Sequence, residues 1–188
     1  MNQLPTRKNT NRLAGYDYSS SGAYFITICA IRNRHLFGRI EGGNSQESNI
    51  GQIVDRCWQQ IPEHFPECQL DEYVIMPNHL HGILWIQNDI DEAPYRRTTL
   101  GRIIGSFKAA VSRLVHTETR ITAHSLWQRN YYEHIIRTDR ALYLIRRYIV
   151  ENPRRWSLDK YNSIRTGQDE MAIELWSVLD NDRCSGTL

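Results

Sequence analysis

Two periods of apolar residues run along the chain, one strand-like and one helical. Ala23 to Ala30 (AYFITICA) is a short run of aromatic and β-branched residues and predicts a strand. Arg32 to Ile40 predicts a loop with a second short strand, and Gly42-Gly43 a turn. From Asn49, a plausible N-cap, the spacing changes. Ile50, Ile53, Val54, Cys57, Trp58 and Ile61 recur as on one face of a helix, which Pro62 and Pro66 close. Gln69 to Met76 and His79 to Gln87 read as strands joined tightly through Pro77-Asn78, whose turn residues predict a hairpin. Thr98 to His116 is a second amphipathic helix, carrying Leu100, Ile103, Ile104, Phe107, Val111 and Leu114. Tyr131 to Ile136 is a strand. Thr138 to Asn152 is a third helix, capped by Thr138 and stopped by Pro153, and a weaker helical stretch spans Glu170 to Leu179.

The resulting order, strand–helix–strand–strand–helix–strand, is that of a ferredoxin-like βαββαβ fold of the α+β class. It has an antiparallel sheet with two helices on one face, and the added third helix can lie on the other. The expected division is a basic N-terminal arm over 1–22, a domain over 23–156 and a tail over 157–188. That order alone assigns no function, because many activities share the fold.

Charge adds a direction. The formal net charge is only +2, yet residues 1–40 carry +5, 41–95 carry −9, 96–155 carry +9 and 156–188 carry −3. Blocks of this kind imply one basic face and a polyanionic partner. Twenty of the 23 basic residues are Arg, whose planar fork suits phosphates and whose face can stack on bases. Arg137, Arg140, Arg146, Arg147, Arg154 and Arg155 surround the third helix, interleaved with Trp127, Tyr131, Tyr132 and Trp156, a mixture suited to single strands. A solvated helix face with core aromatics gives the same pattern. Arg7, Lys8 and Arg12 could track phosphates from the N-terminal arm; Lys108 and Arg113 read as exposed, with no role. No apolar run approaches the roughly 20 residues of a membrane span, and the N-terminus lacks an apolar signal centre. A cytoplasmic location is the expectation. Cys29, Cys57, Cys68 and Cys184 are too scattered for a disulfide frame or zinc knuckle and read as reduced thiols.

Two places carry candidate chemistry. In His79-Leu80-His81 the strand period places both imidazoles on one face and Leu80, Leu84 and Ile86 on the other. Two histidines so placed form half a metal site, or a hydrogen-bonded pair beside a turn. By softness alone they suit zinc, copper, nickel or iron, and further ligands must come from elsewhere in the fold. On the third helix Ala141, Leu144, Tyr148 and Asn152 share a stripe, with Tyr148 and Asn152 one turn apart. Laid over the histidine face, that stripe would aim a phenol and an amide oxygen at one metal. The phenol is a competent covalent nucleophile, although a tyrosine in such a helix also serves as ordinary packing. Tyr143 is rotated away and is the weaker candidate.

YVIMPNHLHGILW (Tyr73 to Trp85) resembles the HUH segment of insertion-sequence 200/605-type transposases. YYEHIIRTDRALYLIRRYIVENPRRW (Tyr131 to Trp156) resembles their nucleophile helix, and GAYFITICAIRNRHLFG (Gly22 to Gly38) their first strand. The branch matched best is that of the REP-associated tyrosine transposases. The resemblance implies an HUH endonuclease domain that nicks hairpin-bearing single-stranded DNA at repetitive extragenic palindromes. It implies His79 and His81 as metal ligands and Tyr148 as the nucleophile that takes the 5′-phosphate and leaves a 3′-OH. It also implies magnesium or manganese as the metal. Asn152 stands where relatives carry Gln, which keeps an amide oxygen for the metal, and Glu151 is the rival ligand. Arg7, Lys8, Arg12, Arg137, Arg140, Arg147 and Arg154 are the expected DNA contacts. The family works as monomers or as helix-exchanging homodimers.

Three other readings compete. One is a hairpin-binding protein without catalysis, which Tyr148→Phe would separate from a cutting enzyme. Another is a metal hydrolase that uses water and forms no protein–DNA adduct. The last is a replication or relaxase initiator, usually a longer chain.

Overall fold

The structure is a computed structural model that describes residues 16–88, 97–119 and 126–184. Arg7, Lys8, Arg12 and the acidic loop Asp89 to Glu92 lie outside those residues.

Four strands form the main sheet: β1 (Gly22–Cys29), β4 (Cys68–Ile75), β5 (His79–Ile86) and β6 (Tyr132–Ile136), all antiparallel, in the order β4-β5-β1-β6. The two strands that are adjacent in sequence, β4 and β5, form the hairpin, while β1 is inserted between β5 and β6. This is the ferredoxin-like arrangement, and the α+β class read from the sequence holds. A two-stranded ribbon, β2 (Gly38–Glu41) with β3 (Asn44–Glu47), precedes the first helix. Its turn is Gly42-Gly43, at φ 56° and 77°, the doubly left-handed geometry of a two-residue hairpin that glycine adopts without a steric penalty.

Helices α1 (Asn49–Gln59) and α3 (Leu100–Thr119) cover one face of the sheet, with the short α2 (Ile61–His64) after the first. There Tyr24, Ile26, Ile28, Leu80, Leu84 and Ile86 pack against Ile53, Val54, Trp58, Ile103, Ile104, Phe107 and Val111. Ser48 caps α1, its hydroxyl accepting from the Gly51 N–H at 3.1 Å. Asn49, the cap expected from sequence, is the first helical residue: the capping side chain must precede the first turn to reach its free N–H groups. Pro62 likewise opens α2 instead of ending α1.

The other face of the sheet carries α4 (Asp139–Glu151) and α5 (Glu170–Cys184). Thr138 caps α4, accepting from Ala141 N–H at 3.2 Å. Ala23, Phe25 and Ile83 pack there against Ala141, Leu144, Ile145, Tyr148, Ile149, Leu175 and Leu179. Between the two helices, Asn152–Leu158 forms 3-10 turns that lead the chain back over the sheet. The segment after Trp156 is therefore packed structure: Leu175 and Leu179 are fully buried, and Arg155 grips Asp169 through both carboxylate oxygens.

Candidate metal and tyrosine site

The site lies where β5 begins. Pleating directs His79 and His81 to the α4 face, and both are wholly buried, with ring centroids 4.5 Å apart. The outward nitrogen of each ring is held. Asn78 Nδ2 donates to the carbonyls of Asn33 (3.1 Å) and Tyr161 (2.8 Å). Its Oδ1 is left facing His79 Nδ1 at 2.8 Å. An amide oxygen only accepts, so Nδ1 carries the hydrogen and His79 Nε2 presents a bare lone pair. Asn33, whose carbonyl anchors Asn78, sits in left-handed backbone at φ 53°. His81 Nδ1 meets the Thr27 hydroxyl at 2.8 Å, which leaves its Nε2 facing the same interior.

The third candidate ligand, a carboxylate, comes from outside the helix. Asp159 is buried, and its Oδ2 lies 3.9 Å from His79 Nε2. One ligand atom each from His79, His81 and Asp159 lie within 4.8 Å of one another. The other oxygen, Oδ1, accepts the Tyr161 N–H at 2.6 Å, which fixes the carboxylate. The Tyr161 ring lies 4.5 Å from that of His79 and closes the cluster from one side.

Helix α4 brings Tyr148 and Asn152 to the same place, as their stripe requires. The Tyr148 ring is 5.2 Å from that of His81 and only 2% exposed, and Asn152 is 1% exposed. Burial, followed by Asp159, holds the Tyr148 phenol well above its ordinary pKa, whereas the Asn152 amide opposes this and also favours the ionised form of Asp159. Burial in turn raises Asp159. It pulls His79 down to about 3 and His81 well below its usual range, so both imidazoles are neutral.

At this cluster four buried side-chain atoms have no hydrogen-bond partner among the described residues: Nε2 of His79, Nε2 of His81, Oδ2 of Asp159 and Oδ1 of Asn152. Each such orphan costs about 1–3 kcal/mol. A divalent cation would satisfy the two imidazoles and the carboxylate together, so the donor set fits a metal. With a carboxylate present the set is no longer purely nitrogenous, which moves it toward the harder cations.

The remaining expected residues are dispersed. Glu151 turns outward to Arg147 at 3.0 Å, away from the cluster. Arg146 is bound to Asp71 through two hydrogen bonds, of 2.9 and 2.6 Å, and Trp85 Nε1 donates to the same carboxylate. Arg137, Arg140 and Arg154 are exposed around α4. Trp127 is a core residue, packed at 5.1 Å on Phe37, not a stacking platform. Lys108, read from sequence as exposed, is half-buried and donates to the carbonyls of Gln128 (2.9 Å) and Asn130 (3.1 Å). Tyr143 is 63% exposed. Cys29, Cys57 and Cys68 are free and buried. Sequence reasoning missed Asp159, one of six acidic residues in a stretch that shows no motif.

Comparison with known proteins gives a consistent family. Residues 44–152 match the model of the IS200-like transposases. A Haemophilus influenzae protein of uncharacterised function is 40% identical over 163 residues, covering 79% of this chain and 89% of its own length. Among solved structures, a REP-associated tyrosine transposase bound to a REP hairpin superposes with a TM-score of 0.53 at 18% identity. That alignment covers 78% of this chain and 74% of the transposase. Among the described residues no helix is long and apolar enough to cross a membrane.

Proposed function

Because the chain belongs to the IS200-like transposase family, we propose that it cuts and rejoins hairpin-bearing single-stranded DNA through a 5′-phosphotyrosine on Tyr148. The observation that carries this reading is the burial of Tyr148 beside two neutral imidazoles and a carboxylate, on one face of one sheet. His79, His81 and Asp159 would hold a divalent cation, magnesium or manganese, with the Asn152 oxygen a fourth candidate. Such an ion supplies charge neutralisation at the phosphate and favours the ionised phenol.

The chain's own residues do the rest. Asn78 and Thr27 fix the imidazole rings, and Asn152 orients the phenol against Asp159. In the transfer a Tyr148 Oη–P bond forms, the P–O3′ bond breaks, the phenol gives up its proton and the 3′ oxygen takes one. The aryl phosphodiester retains the bond energy, so the reversed reaction with a free 3′-OH rejoins a strand. Arg137, Arg140 and Arg154 would follow the backbone, with Arg7, Lys8 and Arg12 of the arm. Residues 23–156 would form the catalytic domain, completed by Asp159 from the segment that follows. The solved relative was captured on a REP hairpin, and repetitive extragenic palindromes are the substrate proposed here.

The test is cleavage of end-labelled hairpin DNA from the gene's own flanks, with manganese or magnesium. The expected result is a covalent protein–DNA band that disappears in Tyr148→Phe. Tight binding with no adduct across metals and flanks would leave a hairpin-binding protein instead.

A further inference from the structure

Next to the cluster, bordered by its Asp159 and by Tyr148, is a cavity of about 250 Å³ between the loop 158–169 and α5, whose further walls include Lys160, Arg165, Gln168, Asp169 and Trp176. It is smaller than the roughly 300–1,000 Å³ of pockets that enclose a drug-sized molecule, so it suits a single small unit. Apart from Tyr148, its walls lie beyond the residues that match the family model.

The charges in this cavity are unevenly satisfied. Asp169 is neutralised by Arg155, and Asp159 faces the histidines. Lys160 and Arg165 have no ion pair among the described residues. Lys160 is an exposed residue whose ammonium folds back over aromatic rings, 3.8 Å from the centroid of Trp176, 5.1 Å from Tyr161 and 5.9 Å from Tyr132. A cation resting on an indole face is held by a modest, exchangeable attraction. Both parts are those that a nucleotide needs: a base can take the ring face, and a phosphate can take the ammonium.

We propose that this cavity is a binding site for one nucleotide unit of the DNA strand next to the scissile phosphate. Lys160 and Arg165 contact its phosphate, and the base stacks on Trp176 once the Lys160 ammonium has moved off the ring. The proposal rests on the reading of Tyr148 as the nucleophile for the position of that nucleotide, but not for the existence of the site.

The experiment titrates thymidine 3′,5′-bisphosphate into the full chain in EDTA, by calorimetry and by Trp fluorescence. Wild type should bind and quench the fluorescence. Lys160→Met should weaken binding at least tenfold, Lys160→Arg should restore it to within about threefold, and Trp176→Phe should remove the quenching but not the binding. Arg113→Met, an exposed residue on α3 outside the cavity, should change nothing, and melting curves identify any variant that fails to fold. Equal affinity in wild type and Lys160→Met, or no binding by wild type, overturns the proposal. Lys160-dependent binding by a protein that forms no adduct on any DNA would uphold the cavity and reject the transposase reading; adduct formation without nucleotide binding would do the reverse.

Discussion

At the residue scale the histidines set a pH dependence. Both are wholly buried and neutral, His79 at about 3 in the folded chain against an ordinary 6.5. The unfolded chain therefore binds the extra protons as pH falls through 6.5, and the folded chain does not. Stability is retained above that value and falls below it. At pH 5 the loss is up to roughly 2 kcal/mol for each fully buried histidine. Melting of the metal-free protein between pH 8 and 5 checks this. His79→Gln should have a flatter profile than wild type, and an unchanged slope would mean that His79 is not the titrating group. Individual residues were unevenly legible in the sequence. His79 and His81 announced themselves through the strand period, and Tyr148 through its stripe with Asn152. Asp159 gave no sign, because what makes it special is the course of the 3-10 turns after Pro153, which no local periodicity encodes. Lys108 was misread for a related reason: the carbonyls that receive its ammonium belong to an irregular segment some 20 residues on.

At the element scale, β5 joins the site to the core. Its outward positions present the histidines, and its inward ones pack on α1 and α3. Gly82 belongs to the crowded side: a Cβ there would stand 2.6 Å from Trp58 Cζ2, in a ring that is fully buried. Gly82→Ala must displace the indole, and overpacking of this kind costs about 1–3 kcal/mol. Urea denaturation should show a lowered midpoint at unchanged slope. A wild-type midpoint would show that Trp58 can shift freely. Elements were the most legible level. The four sheet strands and the helices α1, α3 and α4 sit within a few residues of their expected places, because each carries an uninterrupted period. Boundaries were less so. The α1 cap moved back by one residue to Ser48, and the strand Asn44–Glu47, wholly polar and therefore without a burial pattern, was not foreseen.

At the scale of the whole molecule, charge and packing divide the surface. Of the basic residues around α4, Arg146, Arg147 and Arg155 are occupied by Asp71, Glu151 and Asp169, which leaves Arg140 and Arg154 among the exposed ones. Binding of single strands should therefore depend on salt less steeply than the +9 segment suggests. If about three cations neutralise phosphates, log K should fall against log salt with a slope of about −2. Anisotropy titrations between low and moderate salt measure it; a slope several times steeper would show that the internal ion pairs open on binding or that residues 1–15 contribute heavily. The ferredoxin-like topology was legible in the order of the elements. The packing of residues 157–179 against the sheet was not, because α5 is only weakly amphipathic and, among the described residues, buries fully only Leu175 and Leu179 of its length.

The position of Asp159 has a consequence for biosynthesis. The histidines and Tyr148 leave the ribosome before the segment that supplies the carboxylate and the Tyr161 cover. Until the chain has passed Pro153 and folded back, the nascent protein holds Tyr148 and two imidazoles but not the carboxylate that completes the cluster. A ribosome stalled before codon 159 would thus release a fragment that carries Tyr148 and both histidines but not the Asp159 carboxylate of their cluster.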